Sequence, residues 1–425
     1  MANLFEDLTW RGMVSESTEG VKELLATQRV TAYIGFDPTA SSLHVGSLLT
    51  VMGLARLQRF GHVPIAIVGG GTGMIGDPSG KSLERVLLSA DRITENVAGV
   101  RQQLERFLDF GAANNAARIV NNADWLGTID LVSFLRDVGK HFTVSSMLQK
   151  ESVSRRLDSE EGISYTEFSY LVLQAYDFLQ LFDRFGCVLQ MGGTDQWGNI
   201  TAGIDLIRKL RAKKAHGLVW PLMKTAAGTK FGKTEAGTIW LDPARTSPFK
   251  FYQFWLNTDD RDVVAYLKYF TFLDRTTIDS LGAAAKTAPE KREAQRVLAR
   301  EVTELVHGKD HVSRAEHATT ALFTKAGDGA KVADDVLAVL EDVPSTALPA
   351  ADFDGKGTAL VDLLARIQLA PSKSEARRLV QSGGVYVNDR RISDPQARLT
   401  RDQAIDGRLF VLRKGQKQNH LVRLT

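Results

Sequence analysis

The stretch Tyr33–Ser47, with the sequence YIGFDPTASSLHVGS, most constrains what this chain can fold into. Alternating apolar residues predict a strand that ends at Asp37, and a serine then caps a helix with a regular apolar face. His44 and the amides around Gly46 therefore lie near a helix N-terminus, where unpaired N–H groups favour a phosphate. A histidine at a helix start is also a common simple cap, so this pattern alone leaves both interpretations open.

The segment HVGS at 44–47, which follows GFDPTA, resembles the HIGH element of the class I aminoacyl-tRNA synthetases, and of the bacterial-type tyrosyl-tRNA synthetases in particular. Ser47 stands where the name of that element implies histidine. A hydroxyl can hydrogen-bond a phosphate or ribose oxygen, but it carries no positive charge. The resemblance implies catalytic positions at Thr39, His44 and Ser47, and ATP contacts from Gly35, Asp37, His44 and Gly46.

Strand-like apolar runs alternate with amphipathic helices through the first half of the chain. The alternation predicts an α/β fold, a doubly wound, Rossmann-like parallel sheet that binds ligands at the carboxyl ends of its strands. The predicted strands are 30–37, 63–70, 118–121, 187–191 and 218–222.

Changes in this pattern predict the domain organisation. The Rossmann-like catalytic domain takes 1–225, with an insertion at about 124–164 that interrupts the strand–helix rhythm. A basic, glycine-punctuated loop and an all-helical domain occupy 226–343, and a Pro- and Ala-containing linker occupies 344–356. Residues 357–425 read as a small α+β domain that resembles the RNA-binding fold first seen in ribosomal small-subunit protein four. In the resembled family, the insertion helps to form a homodimer.

Charge is divided unevenly between the last domain and the rest. Residues 353–425 hold 14 Lys and Arg against 7 Asp and Glu, a net +7, whereas the remainder holds 39 against 43, a net −4. Such asymmetry favours a nucleic-acid-binding appendage, although a solvated basic face is the competing interpretation. The candidate tRNA phosphate contacts here are Arg377, Arg378, Arg390 and Arg391.

Cysteine content and the N-terminus limit the class of protein. Cys187 is the single cysteine, which excludes an internal disulfide, and no Cys/His spacing suits zinc, so no metal site is expected. The opening MANLFEDLTWRG lacks the basic start and apolar core of a secretory signal, and the apolar runs are too short to span a bilayer. A cytoplasmic location is the expectation.

The glycine-rich run at 69–82, GGGTGMIGDPSGKS, matches two nucleotide motifs incompletely. GxGxxG follows a strand, but a dinucleotide site also needs a strand ending in an acidic residue about 20 residues later, and Glu84–Phe110 reads as helical. The ending GKS suits a P-loop, but that motif needs glycine where Ile75 stands. In the resembled family, GDPSGKxxER is a shared block that implies an amino-group contact for Asp77 and phosphate or tRNA contacts for Lys81 and Arg85.

A predicted helix over 166–182 carries Tyr170, Gln174 and Asp177 at i, i+4 and i+7, which places them on one face. Two polar groups and a carboxylate near buried surface are costly unless a ligand or partner satisfies them, although a solvated polar stripe is equally compatible with the spacing. The three residues match the tyrosine-binding YxxxQxxD pattern of the resembled family. That resemblance implies a tyrosine site of Tyr33, Asp77, Tyr170, Gln174, Asp177, Gln190 and Gln196.

Two further elements follow. QMGGTDQ at 190–196 has two glycines that permit close backbone approach, and Asp195 is either an ordinary N-cap or, by resemblance, a ribose contact alongside Gly192. KFGKT at 230–234 resembles the tyrosyl form of the KMSKS element. It implies that Lys230, Lys233 and Thr234 meet the phosphates of ATP.

The resemblance therefore implies a cytoplasmic, homodimeric tyrosine–tRNA ligase that uses L-tyrosine, tRNA(Tyr) and ATP with Mg²⁺, without a tightly bound cofactor. Tryptophan activation is disfavoured, because an indole offers only a donor to Tyr33 and Asp177. A non-catalytic RNA-binding protein and a dinucleotide-dependent dehydrogenase are the alternatives from other classes.

Overall fold

The computed structural model describes residues 3–79, 87–157, 162–228, 231–234, 237–323, 344–388, 390–415 and 418–425. The chain divides into two compact units, one comprising 1–246 with 254–306 and the other comprising 247–253 with 307–425.

The elements are numbered here in chain order. The helices are α1 (Leu4–Trp10), α2 (Val21–Thr27), α3 (Val45–Arg59), α4 (Ala90–Leu104), α5 (Ala123–Leu126), α6 (Leu131–Asp137), α7 (Val144–Leu148), α8 (Glu151–Leu157), α9 (Tyr165–Phe185), α10 (Trp197–Arg211), α11 (Pro248–Leu256), α12 (Val263–Phe270), α13 (Arg275–Thr287), α14 (Glu293–His307), α15 (Lys309–Phe323), α16 (Leu360–Arg366) and α17 (Lys373–Gln381). The strands are β1 (Glu16–Ser17), β2 (Thr31–Phe36), β3 (Val63–Val68), β4 (Arg118–Asn121), β5 (Cys187–Gly193), β6 (His216–Trp220), β7 (Lys233–Thr234), β8 (Gly237–Thr238), β9 (Ser345–Leu348), β10 (Thr358–Ala359), β11 (Val385–Val387), β12 (Arg390–Ile392), β13 (Arg398–Leu399), β14 (Leu409–Lys414) and β15 (Gln418–Leu424).

A six-stranded sheet organises the first unit, in the order β1-β6-β5-β2-β3-β4. Its five longer strands pair in parallel and match the five predicted strands, which confirms the Rossmann-like α/β prediction. β1 adds an antiparallel edge that the sequence did not predict, because a two-residue strand is too short to show alternation. The chain runs from β2 outward through β3 and β4, then returns to the other side of β2 through β5. The crevice at the carboxyl ends of β2 and β5 is therefore the switch point where such sheets bind ligands.

The predicted insertion contributes only helices among its described residues. Between 124 and 157 the chain forms α5 to α8, and no residue of this stretch joins the sheet. Its interruption of the strand–helix rhythm is therefore visible in the structure.

Two predicted domain boundaries need correction. Residues 254–306 belong to the compact unit that contains the sheet, so the helices after 226 do not form one separate domain. The predicted linker 344–356 contributes β9, which pairs in parallel with β15 in a sheet of order β12-β11-β14-β15-β9. Leu348 and Phe353 from this segment are buried in the core of the second unit. The local proline and alanine content suggested a linker, but burial of these two side chains favours ordered structure.

Two buried arginines fix α1 and α3 to the end of α12. Arg11 donates to the carbonyl oxygens of Lys268 (2.9 Å) and Leu273 (2.8 Å), and Arg56 donates to that of Lys268 (3.1 Å). Asp7 lies 3.0 Å from Arg11 and 3.6 Å from Arg56. Burial lowers the pKa of Arg56 to about 9, so the guanidinium remains a cation at neutral pH. The guanidinium groups donate to carbonyl oxygens at a helix end, which have no intrahelical donors. These hydrogen bonds offset the cost of burying the two positive charges.

We expect Arg56→Met to lower the free energy of unfolding by about 3 kcal/mol, because it removes one of the two buried guanidinium groups that satisfy Asp7 and the carbonyls at the end of α12. Urea denaturation measures the change. Arg92→Met is the control, since Arg92 and its partner Glu95 are 51% and 59% exposed, and such pairs contribute about 0.5 kcal/mol or less. Equal effects of the two substitutions would contradict this account.

Candidate active site

A cavity of about 610 Å³ opens at the carboxyl ends of β2 and β5. It lies entirely within the first unit, at the crevice where the strand order changes direction. Most of the predicted site residues line it: Tyr33, Gly35, Asp37, Thr39, His44, Gly46, Ser47, Asp77, Tyr170, Gln174, Asp177, Gln190, Gly192, Asp195 and Gln196.

Several predicted contacts cannot be placed in this cavity. Lys81, Arg85 and Lys230 lie outside the described residues, and for Lys233 and Thr234 only the backbone, strand β7, is described. Strands β7 and β8 pair in antiparallel orientation. We call these two strands, together with Phe231 and Gly232 before them, the hairpin.

One end of the cavity is built around the carboxylate of Asp177, which is 3% exposed. Trp125 Nε1–H donates to Oδ1 (2.7 Å), and the Asn122 amide donates to Oδ2 (2.9 Å). Burial raises the pKa of Asp177 to about 7. The hydrogen bonds from Asn122 and Trp125 act to lower this pKa, and the charge of Asp37 acts more weakly to raise it. Two donors from the end of β4 and from α5 therefore hold this carboxylate in a fixed orientation.

The hydroxyl of Tyr33 is the second polar group at this end. It is fully buried and has no hydrogen-bond partner among the described residues, and the same is true of Gln190 Oε1. Burial first, and then the nearby charge of Asp177, raise the pKa of Tyr33. A buried hydroxyl without a partner costs free energy, so this end of the cavity is suited to a ligand that carries a matching polar group.

A second carboxylate, Asp37 at the end of β2, joins three elements. Tyr170 of α9 donates its hydroxyl to Oδ2 (2.8 Å), and Thr72 donates to Oδ1 (2.9 Å). Asn122 in turn donates to Thr72 Oγ1 (2.9 Å), which connects this network with that of Asp177. Burial, followed by the charge of Asp37, raises the pKa of Tyr170, so Tyr170 is a neutral donor at physiological pH.

Amides form a third network around Asp77. Gln196 donates to Asp77 Oδ2 (2.8 Å), and Gln174 donates to Gln196 Oε1 (3.2 Å). Asn199 of α10 donates to Gln174 Oε1 (3.0 Å), and the backbone N–H of Ser79 donates to Asp77 Oδ1 (2.8 Å). Asp77 is 7% exposed, and this network holds a negative charge at the cavity wall, where it can bind an ammonium group.

His44 is the N-cap of α3, and its Nδ1 accepts from the Gly46 backbone N–H (2.9 Å). A neutral ring that accepts at Nδ1 carries its proton on Nε2, which is then a donor. A Cβ atom at Gly46 would lie 2.7 Å from the His44 ring, so only glycine permits this capping geometry. The interpretation of this histidine as a helix cap is therefore confirmed, and the capping residue also lines the cavity.

The sequence interpretation missed Thr72, Asn122, Trp125 and Asn199. Asn122 could have been found, because it directly follows a predicted strand and so stands at the ligand-binding edge. Trp125 and Asn199 lie on helices, and no local pattern indicates that they approach α9.

The four arginines predicted to contact tRNA belong to the second unit. Arg377, Arg378 and Arg390 are exposed on α17 and β12. Arg391 is also exposed, but its guanidinium donates to the carbonyl oxygens of Gly383 (2.8 Å) and Ser382 (3.1 Å). Its position is therefore fixed by the turn that follows α17.

Comparison with known proteins places the chain in a family. Residues 25–324 match the family model for tRNA synthetases class I (W and Y), and residues 335–422 match that for a tyrosine–tRNA ligase SYY-like C-terminal domain. The tyrosine–tRNA ligase of Roseiflexus castenholzii is 55% identical over 425 residues and the whole of both chains. The chain belongs to the class I tyrosine–tRNA ligases. Those of Geobacillus stearothermophilus (52%) and Bacillus subtilis (51%) each match over 99% of both chains.

Solved tyrosyl-tRNA synthetases share the fold. The C-terminally truncated mitochondrial enzyme of Aspergillus nidulans has a TM-score of 0.70 at 31% identity, covering 76% of this chain and 95% of that one. The Archaeoglobus fulgidus enzyme, solved with L-tyrosine, has a TM-score of 0.54 at 16% identity over 74% and 99% of the two chains, which shows the fold alone. Membership of the tyrosyl family confirms the predicted resemblance and enzyme class, and it excludes the dehydrogenase alternative.

The raised pKa of Asp177 predicts a pH-dependent contribution to stability. Its carboxyl binds a proton more tightly in the folded state (pKa about 7) than the ordinary value of 3.8. This group therefore contributes stability below about pH 4 and loses it as the pH rises to about 7. Relative to Asp177→Asn, which does not titrate, the wild type should become progressively less stable over that window and level off above it.

Urea denaturation of both proteins between pH 5 and pH 8.5 measures this difference. Asp183→Asn, on the same helix but exposed to solvent, is the control. A stability difference between wild type and Asp177→Asn that stays constant with pH would contradict the raised pKa.

Proposed function

We infer that this cavity is where the chain, as a tyrosine–tRNA ligase, activates L-tyrosine with ATP and then transfers it to the 3′ end of tRNA(Tyr). The observation that carries this inference is the buried pair formed by the Asp177 carboxylate and the Tyr33 hydroxyl, which has no partner within the described ranges of the chain. The Tyr33 hydroxyl can donate a hydrogen bond to a phenol oxygen, and the Asp177 carboxylate can accept a hydrogen bond from the phenol O–H.

The first step needs no catalytic base. A carboxylate oxygen of tyrosine attacks the α-phosphorus of ATP, the α–β bond breaks, and pyrophosphate leaves. The carboxylate is already a nucleophile, so the protein contributes positioning and stabilisation of the charge that develops on the phosphates. In the second step, a ribose hydroxyl of the terminal adenosine attacks the tyrosyl carbonyl and AMP leaves.

We assign the phosphate contacts to residues at the α3 end of the cavity. Thr39, His44 and Ser47 would meet the phosphates from the end of β2 and the start of α3. Lys230, Lys233 and Thr234 would approach from the following hairpin, Gly192 and Asp195 would hold the ribose, and Lys81 and Arg85 would meet phosphate or the tRNA acceptor end. Mg²⁺ would arrive with ATP, because hard cations prefer phosphate oxygens. Among the described residues, no group of three or more His, Cys, Asp or Glu side chains is placed to hold a metal ion.

Tyrosine would lie with its phenol at Tyr33 and Asp177 and its ammonium group at Asp77, beside Tyr170, Gln174, Gln190 and Gln196. Phenylalanine would leave the Tyr33 hydroxyl without a hydrogen-bond partner and would offer no donor to the Asp177 carboxylate. A tyrosyl-tRNA synthetase is itself the standard example of this effect, at about 10⁵-fold discrimination against phenylalanine.

The direct test of function is ATP–pyrophosphate exchange with each amino acid in turn, without tRNA. Exchange with tyrosine alone is the expected result. If folded protein binds RNA but exchanges with no amino acid, a non-catalytic RNA-binding role is the better explanation.

We expect Asp177→Ala to lower kcat/KM for tyrosine in pyrophosphate exchange by about 10²-fold or more, because the phenol loses its acceptor and two donors lose their partner. Asp183→Ala is the matched control, since Asp183 lies on the same helix, α9, and pairs with Arg211 at the surface. Near-normal exchange by Asp177→Ala would contradict the assigned phenol contact.

We also propose a homodimer formed through the helices of the insertion. These helices expose large apolar side chains to an unusual degree: Leu131 (70%), Val132 (71%), Leu135 (46%), Val144 (62%) and Leu148 (39%). Several exposed large apolar side chains on two successive helices are a common feature of an interface.

Val132→Glu should therefore convert a dimer, of twice the 46.7 kDa chain mass, into monomers. The cause is the cost of burying an unpaired charge in the interface. Sedimentation equilibrium measures the mass, with Lys22→Glu on the exposed face of α2 as the control. A wild-type protein that sediments as a monomer, or a Val132→Glu variant that remains dimeric, would contradict this interface.

The second unit would hold tRNA through Arg377, Arg378, Arg390 and Arg391, whose charges suit a phosphate backbone. A cytoplasmic location, where tRNA is charged, completes the proposal. None of the helices in the described part of the chain is long and apolar enough to cross a membrane.

A further inference from the structure

Phe231 is buried in a cage of four aromatic side chains. Its ring lies 5.4 Å from that of Phe270, nearly parallel at 15°, and 5.0 Å from that of Tyr266. The other two members are Phe254 (5.8 Å) and Trp255 (5.9 Å). Phe231 is only 4% exposed, although a loop residue in a polar, glycine-punctuated segment would ordinarily face solvent. We call Phe254, Trp255, Tyr266 and Phe270 the aromatic cage.

Burial of this ring fixes the adjacent backbone against the start of α3. Gly232 has φ +81°, and a Cβ atom there would lie 2.8 Å from Val45 Cγ2 and 3.3 Å from Gly46 N. The Ile239 N–H donates to the Gly232 carbonyl (3.3 Å), and the Val45 N–H donates to the Ile239 carbonyl (3.0 Å). The hairpin backbone therefore packs directly on the helix terminus that carries His44.

The preceding part of the same segment is also attached to α12. The Ala226 backbone N–H donates to both carboxylate oxygens of Asp262 (3.1 and 3.0 Å), and Asp262 is the residue immediately before α12. Tyr266 and Phe270 of the cage belong to that helix. Two contacts five residues apart thus join the segment to α12, one polar and exposed, the other apolar and buried.

We propose that Phe231 is a positioning residue for adenylate formation, acting by holding the backbone of 231–232 on α3. Lys230 precedes it directly in sequence and Lys233 follows it by two residues, so a fixed backbone at 231–232 would limit how far either lysine can lie from the start of α3. This inference rests on the proposed function, in which those lysines meet the phosphates. Because the Phe231 ring packs on the aromatic cage, whereas the contacts to tyrosine are assigned to Tyr33 and Asp177, its loss should lower the rate of adenylate formation and leave tyrosine affinity unchanged.

The test is single-turnover adenylate formation with saturating ATP, together with tyrosine Kd from equilibrium binding. Phe231→Ala should lower the maximal rate roughly 10²-fold, the scale expected for misplaced catalytic groups, with tyrosine Kd unchanged. Phe231→Leu, which keeps most of the apolar contact, should recover much of the rate. Phe270→Leu, which alters the cage and leaves the hairpin sequence intact, should lower it in the same way.

A double-mutant cycle separates positioning from general destabilisation. If Phe231 acts through the lysines, Phe231→Ala should cost little further rate in a Lys233→Ala background. Phe353→Leu, in the core of the second unit, is the control for lost packing and should leave the rate unchanged.

Three results would overturn the inference: a normal rate in Phe231→Ala, additive effects in the cycle, or a parallel loss of tyrosine affinity. Each presupposes a wild type that exchanges with tyrosine. A wild type that does not exchange would instead overturn the proposed function.

Discussion

The structure of the site depends on one buried carboxylate. Asp177 cannot remain ionised beneath the sheet edge unless donors approach it, and Trp125 and Asn122 do so from elements 52 and 55 residues away in sequence. Those two hydrogen bonds join α9 to the end of β4 and to α5. The same burial leaves the Tyr33 hydroxyl, near the charge of Asp177, without a partner among the described residues. The burial that accompanies folding therefore also leaves a polar group for a ligand to bind.

Helix α9 carries three polar side chains that are hydrogen-bonded in this way. Tyr170, Gln174 and Asp177 lie on one face, and each is bonded to a network from a different part of the sheet's carboxyl edge: the end of β2, the start of α10, and the end of β4. Because each polar group is satisfied by a different partner, the helix cannot slide or rotate without breaking several buried hydrogen bonds. A rigid wall of this kind preserves the geometry that catalysis by positioning requires.

The sequence predicted the sheet well and the division into domains less well. Five strands were found because apolar alternation and flanking turns are local signals. β9 was missed because its strand character depends on pairing with β15, some 70 residues later, and on burial of Leu348. Residues 254–306 read as a separate helical domain because a helical pattern does not reveal what it packs against. The aromatic cage around Phe231 shows the same limit, since its members are 23 to 39 positions away.

The sequence by itself determined the identity and order of the chemical groups. It placed Asp37 and Asp195 after strand ends, His44 at a helix start and Asp177 on one helix face, where backbone periodicity fixes their direction. Only the tertiary structure decided which of those groups are already bonded to the protein and which face a ligand. Asp37 and Tyr170 bind one another, whereas the Tyr33 hydroxyl has no partner among the described residues. Hydrogen bonding across a core depends on distances between segments far apart in the chain, and local periodicity carries no information about those distances.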